Sequence, residues 1–305
     1  MTTLVLQSSL FVAPQFYCFP WKPLINAAIG DSYAVALKHF LVNHMTASNL
    51  ALHFVCLIVQ LTGNFCLLRV LDDLFFPSIA FGPLSVSTFV VWVGYLVLNS
   101  TSAPLWAQLA STWCLGAAVV AAPIIVPHGE LMSLALVGMF LSTLALCFLG
   151  GFRHQLNVRA ATFGSLFLVA IHGGWYYLPQ YIDGALLQAH LFHVNLVFGV
   201  VMFILSMVKN PLLPTVAYGY FVGRALATLT GQSWLFFFSY GFFGSVLQGF
   251  SHLLASEIPT LIALQKESPA DKIRYEYAHV VFFPNLAFHG IDIYRLAAGK
   301  SQKSV

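Results

Sequence analysis

Charge is what this sequence has least of. Charged residues make up 8% of its 305 residues, whereas hydrophobic residues make up 59%. Soluble domains carry about 25% charged residues, so the composition excludes an ordinary water-soluble globular protein. The 13 lysines and arginines and the 10 aspartates and glutamates leave a net charge of only +3. That excess is too small for the cationic surface that nucleic-acid binding requires, and no nucleic-acid partner is expected.

Cysteine is also scarce. The chain has five cysteines, and no two of them form a C-x-x-C pair. The sequence therefore shows neither a zinc-knuckle pattern nor a disulfide framework.

The N-terminal stretch lacks the basic region of a cleavable signal peptide, so we expect a loosely ordered or interfacial lead-in there.

Long apolar runs dominate what is present. About 20 helical residues cross the hydrocarbon layer at about 1.5 Å per residue. Eight segments approach that length, at 46–68, 79–98, 104–126, 131–150, 161–178, 190–208, 212–230 and 234–256. They predict an all-α fold, a polytopic transmembrane bundle of about eight helices. The amphipathic stretch from Tyr277 to Tyr294 predicts an additional C-terminal interfacial helix.

The predicted organisation is a single integral membrane domain over 1–305. It has a lead-in over 1–43, the eight-helix bundle over 44–256 and a C-terminal segment over 257–305. Eleven of the cations fall on the side of the bundle that holds both termini, and only Arg69 falls on the other side. Because loops rich in lysine and arginine face the cytoplasm, both termini are predicted to be cytoplasmic.

Histidine is the informative residue type, since eleven histidines occur beside only ten acids. A single histidine in a membrane helix is more often a structural hydrogen-bonding residue. Clusters are different, because ionisable groups inside a membrane are costly and usually have a function. Three clusters occur: His44, Asn49 and His53; Gln248, His252 and Glu257; and Glu276, His279 and His289.

Helical periodicity predicts how the first cluster can converge. Thr46 and Ser48 are typical N-cap residues, so the first membrane helix should begin between them. Asn49 and His53 then share one face of that helix at i, i+4 spacing. His44 lies about half a turn out of phase with His53, and faces the same site only if it lies in the turn before the helix.

The even number of crossings brings the other clusters to the same membrane face. The first helix begins and the eighth ends at the cytoplasmic side, where Gln248 and His252 share a face and His279 follows. Neutral imidazoles without competing thiolates suit a first-row metal such as Fe(II) or Zn(II). The pair His190-x-x-His193 is a weaker second possibility.

Two of these patterns resemble those of a known family. The patterns are His44-x4-Asn49-x3-His53, and Gln248-x3-His252 followed by Glu257 and Pro259. They are similar to the motifs of the endoplasmic-reticulum 2-hydroxy fatty acid (2-hydroxypalmitate) dioxygenases of fatty-acid α-oxidation. The resemblance implies an Fe2+ cofactor, a 2-hydroxy fatty acid that is shortened by one carbon, and a location in the endoplasmic reticulum.

The leading hypothesis is therefore a membrane-embedded non-haem iron oxygenase that acts on a lipid. Its expected metal ligands are His44, His53, His252 and His279. Asn49 and Gln248 are expected to orient these imidazoles by hydrogen bonds. Glu257 is expected to be a further ligand or a proton-transfer group.

Two other classes of function remain open. A metal-free membrane terpene cyclase or isomerase would protonate an isoprenoid with a carboxyl group and stabilise the cation with aromatic faces. The possible acids are Glu257, Asp31, Asp183 and Glu130, and the run from Trp234 to Tyr240 could supply the aromatic rings. A transporter is the third class, although we find no inverted repeats of the kind typical of transporters.

Overall fold

A computed structural model describes residues 32–99, 105–150, 156–206, 212–240, 251–252, 254–257, 259–260 and 263. These residues form helices and turns, and no strand occurs among them. The helices are α1 (Tyr33–Asn43), α2 (Ala47–Phe75), α3 (Pro83–Asn99), α4 (Leu105–Ile125), α5 (Gly129–Leu149), α6 (Leu156–Tyr177), α7 (Gly184–Ser206), α8 (Leu212–Thr230) and α9 (Trp234–Phe238). The predicted all-α class is confirmed for this part of the chain.

Three helical runs among the described residues are long and apolar enough to cross a membrane. They are Ala47–Phe75, Leu105–Leu149 and Gly184–Leu205. The long run joins the predicted third and fourth segments through a 3-10 turn at Val126–His128. These three runs are compatible with an integral membrane protein. The count of eight crossings stays a prediction. The predicted helix from Tyr277 to Tyr294 lies outside the described residues.

Helix α1 lies within the segment that the sequence predicts as a lead-in. Most of its 11 residues are apolar, and Lys38 and His39 interrupt the apolar pattern. Ala36 and Phe40, one turn apart, are both fully buried. Their burial gives this short helix a core-facing side, which explains why it forms despite its length.

The chain divides into two compact units. Of the described residues, the first unit comprises 32–126 and 251–263, and the second unit comprises 127–240. The single membrane domain predicted from the sequence stays a prediction.

Helix α2 is the core of the first unit. It is buried along most of its length, from Leu50 near its start to Leu71 near its end. It packs chiefly against α4 and also against α3. The buried face of α4 is rich in small residues, including Ala107, Ser111 and Ala118. Small side chains let two helix backbones approach closely, as in helix pairs within membranes.

Asp72 joins the end of α2 to the start of α3. Its carboxylate is buried and accepts hydrogen bonds from the backbone N–H groups of Leu84 (2.6 Å) and Ser85 (3.0 Å) and from the Ser85 hydroxyl (2.7 Å). The first turn of a helix has unpaired N–H groups, so Asp72 caps α3 from another helix. Gly82 has a φ of 46°, and a Cβ there would lie 2.6 Å from Asp72 Oδ2. The α2–α3 turn therefore requires glycine.

Helix α8 is the central helix of the second unit, as α2 is of the first. It packs most extensively along α7 and also contacts α6 and α9. Helix α9 in turn packs against α5. Phe236, Phe237 and Phe238 of α9 are at most 2% exposed. This part of the aromatic run is therefore packed inside the second unit rather than facing lipid.

Candidate metal centre

The turn between α1 and α2 sets the positions of the first two histidines. Helix α1 ends at Asn43, and His44 follows as its C-cap. Thr46 is the N-cap of α2, and its side chain accepts a hydrogen bond from the backbone N–H of Asn49 at 3.3 Å. His44 therefore lies in the turn before the helix, as predicted, and its ring is directed back towards His53 in the second turn of α2.

His252 completes a buried histidine triad, which consists of His44, His53 and His252. The side chains are 6%, 4% and 2% exposed in that order. The ring centroids of His44 lie 4.3 Å from His53 and 4.9 Å from His252, and those of His53 and His252 lie 5.0 Å apart. One ligand nitrogen from each residue lies within 4.8 Å of the others. Among the described residues this is the group suited to hold a metal ion.

Hydrogen bonds assign the proton positions of His44 and His53. Nδ1 of His44 lies 2.8 Å from the carbonyl oxygen of Phe40, which can only accept, so Nδ1–H is the donor. Nδ1 of His53 likewise donates to Oδ1 of Asn49 at 2.9 Å. A neutral imidazole carries one N–H group, so both residues have their lone pair on Nε2. The two Nε2 atoms face each other at 3.2 Å.

The orientation of the Asn49 amide follows from its carboxylate partner. Nδ2 of Asn49 donates to Oε2 of Glu257 at 2.8 Å, and a carboxylate at this position can only accept. Oδ1 is therefore the atom that faces His53, and it also accepts a hydrogen bond from the Ser251 hydroxyl at 2.8 Å. Asn49 is fully buried. Its amide thus fixes the ring of His53 in the form whose lone pair faces the triad.

Thr260 and Asn49 both engage Nδ1 of His252. This nitrogen lies 3.1 Å from the Thr260 hydroxyl and 3.1 Å from Nδ2 of Asn49, and the Thr260 hydroxyl itself donates to the backbone carbonyl of Glu257 at 2.8 Å. With Nδ1 engaged in this way, Nε2 is the ligand atom that His252 offers. All three histidines are then held through Nδ1.

Glu257 does not belong to the group of ligand atoms. Its carboxylate accepts hydrogen bonds from Asn49 and from the backbone N–H groups of Met45 (3.0 Å) and Thr46. Burial would raise the pKa of Glu257, but these hydrogen bonds outweigh burial and lower it. The group is therefore an ionised carboxylate that holds the turn before α2. The predicted roles of Glu257 as a further ligand or a proton-transfer group stay predictions.

His44 is neutral in this environment. Burial, followed by the charge of neighbouring His252 when protonated, lowers the pKa of His44 to about 3. The Phe40 ring stacks on the imidazole with centroids 4.1 Å apart. An imidazole that stays neutral keeps its Nε2 lone pair available for a metal across the physiological pH range.

Two features show that the triad fits a cation. Imidazole nitrogens bound about 2.0–2.1 Å from one metal lie roughly 3 Å apart, which agrees with the 3.2 Å between the Nε2 atoms of His44 and His53. Two lone pairs at that distance repel unless a cation or a proton lies between them. Glu257 adds a buried negative charge, and within the described residues no lysine or arginine forms an ion pair with it.

The remaining predicted residues fall into two groups. Gln248, His279 and Asp31 lie outside the described residues. The others are exposed and belong to no group of three possible metal ligands among the described residues: His128, His190, His193, Glu130 and Asp183. The His190 and His193 ring centroids are 6.5 Å apart, and Asp183 accepts a hydrogen bond from Ala185 N–H at the start of α7. Sequence reasoning missed Ser251 and Thr260, although their positions beside His252 and after Pro259 were a usable signal.

Comparison with protein-family models, with characterised proteins and with solved structures finds no match for this chain.

Proposed function

We propose that the protein is a membrane-embedded non-haem iron oxygenase that acts on a lipid, of the type that shortens 2-hydroxy fatty acids by one carbon. The observation that carries the proposal is the buried histidine triad, in which the Nε2 atoms of His44 and His53 face each other at 3.2 Å. The motif resemblance supplies the choice of iron and of the lipid substrate. With both termini on the cytoplasmic side of the endoplasmic reticulum, about eight crossings would place the site in the cytoplasmic leaflet.

The residues in and around the triad would have different roles in binding the ion. His44, His53 and His252 would ligate it through Nε2, and His279 is a fourth proposed ligand. Asn49 would fix His53, and Thr260 would fix His252, through bonds to Nδ1 that raise ligand basicity. Gln248 is proposed as a further orienting residue. Bound iron would supply the redox chemistry that oxygen activation requires.

Burial contributes the second requirement of such a site. The three imidazoles are at most 6% exposed, so bulk water is largely kept from the ligand atoms. Exclusion of water protects reactive intermediates and strengthens electrostatic interactions within the site. Glu257, as an ionised carboxylate, would partly balance the charge of the metal and keep Asn49 in its productive orientation.

The terpene cyclase alternative finds less support in the same geometry. It needs a protonated carboxyl group directed at the substrate. Glu257 is instead surrounded by N–H donors that favour its ionised form. Glu130 and Asp183 are exposed.

The test is the metal dependence of turnover in detergent-purified protein. We expect a first-row metal to copurify, and 2-hydroxypalmitate to be converted to a product one carbon shorter. Chelation should abolish this activity, and Fe(II) should restore it. His53→Ala should lose both metal and activity, whereas His190→Ala, which replaces an exposed histidine, should retain both. Full activity after rigorous chelation would refute the proposal.

A further inference from the structure

Arg224 is a partly buried cation in the second unit that has no acidic partner among the described residues. It lies on α8, and its Nη1 donates a hydrogen bond to the Tyr220 hydroxyl at 3.2 Å. Its Nε is buried and has no hydrogen-bond partner in the described part of the chain. The only described ion pair of an arginine with a carboxylate is that of Arg69 with Asp73. Burying an unpaired guanidinium is costly, so this arrangement calls for an explanation.

Two aromatic rings lie beside this guanidinium, and a third ring packs on one of them. Its Cζ lies 5.3 Å from the centroid of the Trp175 ring and 5.6 Å from that of Tyr220. The Trp234 ring lies 5.0 Å from Tyr220 and 4.9 Å from His172. Cation–π contacts stabilise the charge in part, but a ring face accepts no hydrogen bond of normal strength from Nε.

The hydrogen bonds of the cluster meet at the Tyr220 hydroxyl. Because an arginine can only donate, the Tyr220 oxygen accepts from Arg224. Nδ1 of His172 lies 3.0 Å from the same oxygen. The nitrogens of Arg224 that remain, Nε and Nη2, are both donors.

From this geometry we propose that the Arg224 cluster, defined as Arg224, Tyr220, His172, Trp175 and Trp234, binds the oxyanion head of an amphiphile. Nε and Nη2 form the edge of a guanidinium that pairs with two oxygens of a carboxylate or phosphate. The bond from Nη1 to Tyr220 holds the guanidinium plane and leaves this edge for the ligand. The site is separate from the histidine triad and does not depend on its proposed metal.

The neighbouring helix indicates that the oxyanion arrives on an apolar tail. Trp175 packs against Phe198 of α7 with centroids 6.3 Å apart. Helix α7 is one of the three runs suited to cross a membrane, and only 17% of its most apolar stretch is buried within the protein. Val197 and Val200 on this helix are 62% and 50% exposed. The surroundings of the cluster therefore suit an acyl chain, and a fatty acid or a phospholipid supplies both parts.

The experiment measures quenching of tryptophan fluorescence by a bromine-labelled stearate in full-length protein in a non-ionic detergent. Saturable quenching should be reversed by palmitate or by an alkyl phosphate, and not by hexadecanol, which has the same tail without the charge. Palmitate competing more strongly assigns the site to a fatty-acid carboxylate, and the alkyl phosphate competing more strongly assigns it to a phospholipid head. Equal competition by hexadecanol, or by acetate or inorganic phosphate at the concentration of palmitate, would overturn the proposal.

Variants of Arg224 test the role of the guanidinium itself. Arg224→Gln should weaken binding by about tenfold or more, because a charge-assisted pair is lost. Arg69→Gln is the matched control, since Arg69 has a carboxylate partner, and its affinity should equal that of the wild type. Arg224→Lys keeps the charge without the two-pronged edge and should bind more weakly than the wild type. Wild-type affinity in Arg224→Gln, or in Arg224→Lys should the glutamine variant fail to fold, would show that the guanidinium is only structural.

Discussion

Replacing Asn49 by alanine should weaken metal binding at the histidine triad while the first unit remains folded. Asn49 accepts the hydrogen bond from Nδ1 of His53 at 2.9 Å and donates to Glu257 at 2.8 Å. Without it, the His53 ring can rotate, and its proton can move to Nε2. Losing such an orienting partner costs about 10–100-fold in metal affinity, which corresponds to about 1.4–2.7 kcal/mol.

The measurement is a competition titration of purified protein with Fe(II) or Co(II) against a chelator of known affinity. Asn64→Ala is the matched control, since Asn64 lies on the same helix and is also 1% exposed or less. It lies about 16 Å farther along α2 than His53, at about 1.5 Å per residue. Each variant removes one buried amide, so both should lower the free energy of unfolding by a similar amount, about 1–3 kcal/mol.

The two variants should therefore differ in metal affinity and agree in stability. Unchanged affinity in Asn49→Ala would show that the amide does not orient a ligand. An equal loss of affinity in both variants would show that general loosening of α2, and not the bond to His53, controls binding. Either result would refute the argument from hydrogen-bond geometry.

Three further predictions concern residues of the first unit. Alanine in place of any histidine of the triad should abolish metal binding, because the ligands act as a unit. Elemental analysis of the purified variants measures the metal content, with His128→Ala, which replaces an exposed histidine, as the control. A His53→Ala protein with a full complement of metal would contradict this prediction. Glu257→Gln should speed hydrogen exchange of the backbone amides just before α2, since a neutral amide accepts these bonds less strongly; unchanged exchange would show that the Glu257 carboxylate does not hold this turn. Asp72→Ala should lower the free energy of unfolding by about 1–3 kcal/mol, because α3 loses its cap; denaturant titration measures this change. The metal affinity of this variant, measured by competition with a chelator, should equal that of the wild type.

The local part of the site could be predicted from the sequence. The N-cap preference of threonine placed the start of α2, and Thr46 is its N-cap. The i, i+4 spacing placed Asn49 and His53 on one face, where they are hydrogen-bonded. The half-turn phase difference of His44 required a turn before the helix, and the structure has that turn. Each of these inferences depends only on neighbours within about one or two turns.

The long-range part could not be predicted in the same way. The role of Glu257 depends on backbone N–H groups more than two hundred residues earlier in the chain. Nothing in its own surroundings distinguishes a metal ligand from a residue that holds a turn. Helix α1 was missed because Lys38 and His39 break its apolar pattern, whereas its burial arises from tertiary packing of Ala36 and Phe40. Hydropathy likewise reports apolar length, and not whether a helix is covered by lipid or by protein.

The length of α2 affects which part of a lipid substrate the protein would recognise. The helix has 29 residues, about 43 Å at about 1.5 Å per residue, whereas the hydrocarbon layer is about 30 Å thick. Arg69 is ion-paired with Asp73 near the end of this helix. If Arg69 marks one boundary of the hydrocarbon layer, the other boundary falls roughly 20 residues earlier, beside Asn49 and His53. The triad would then lie at headgroup depth, and an acyl chain bound there would extend into the bilayer. An oxygenase of the proposed type would recognise its substrate from the carboxyl end, so tail length should matter far less than the substituents on the first two carbons.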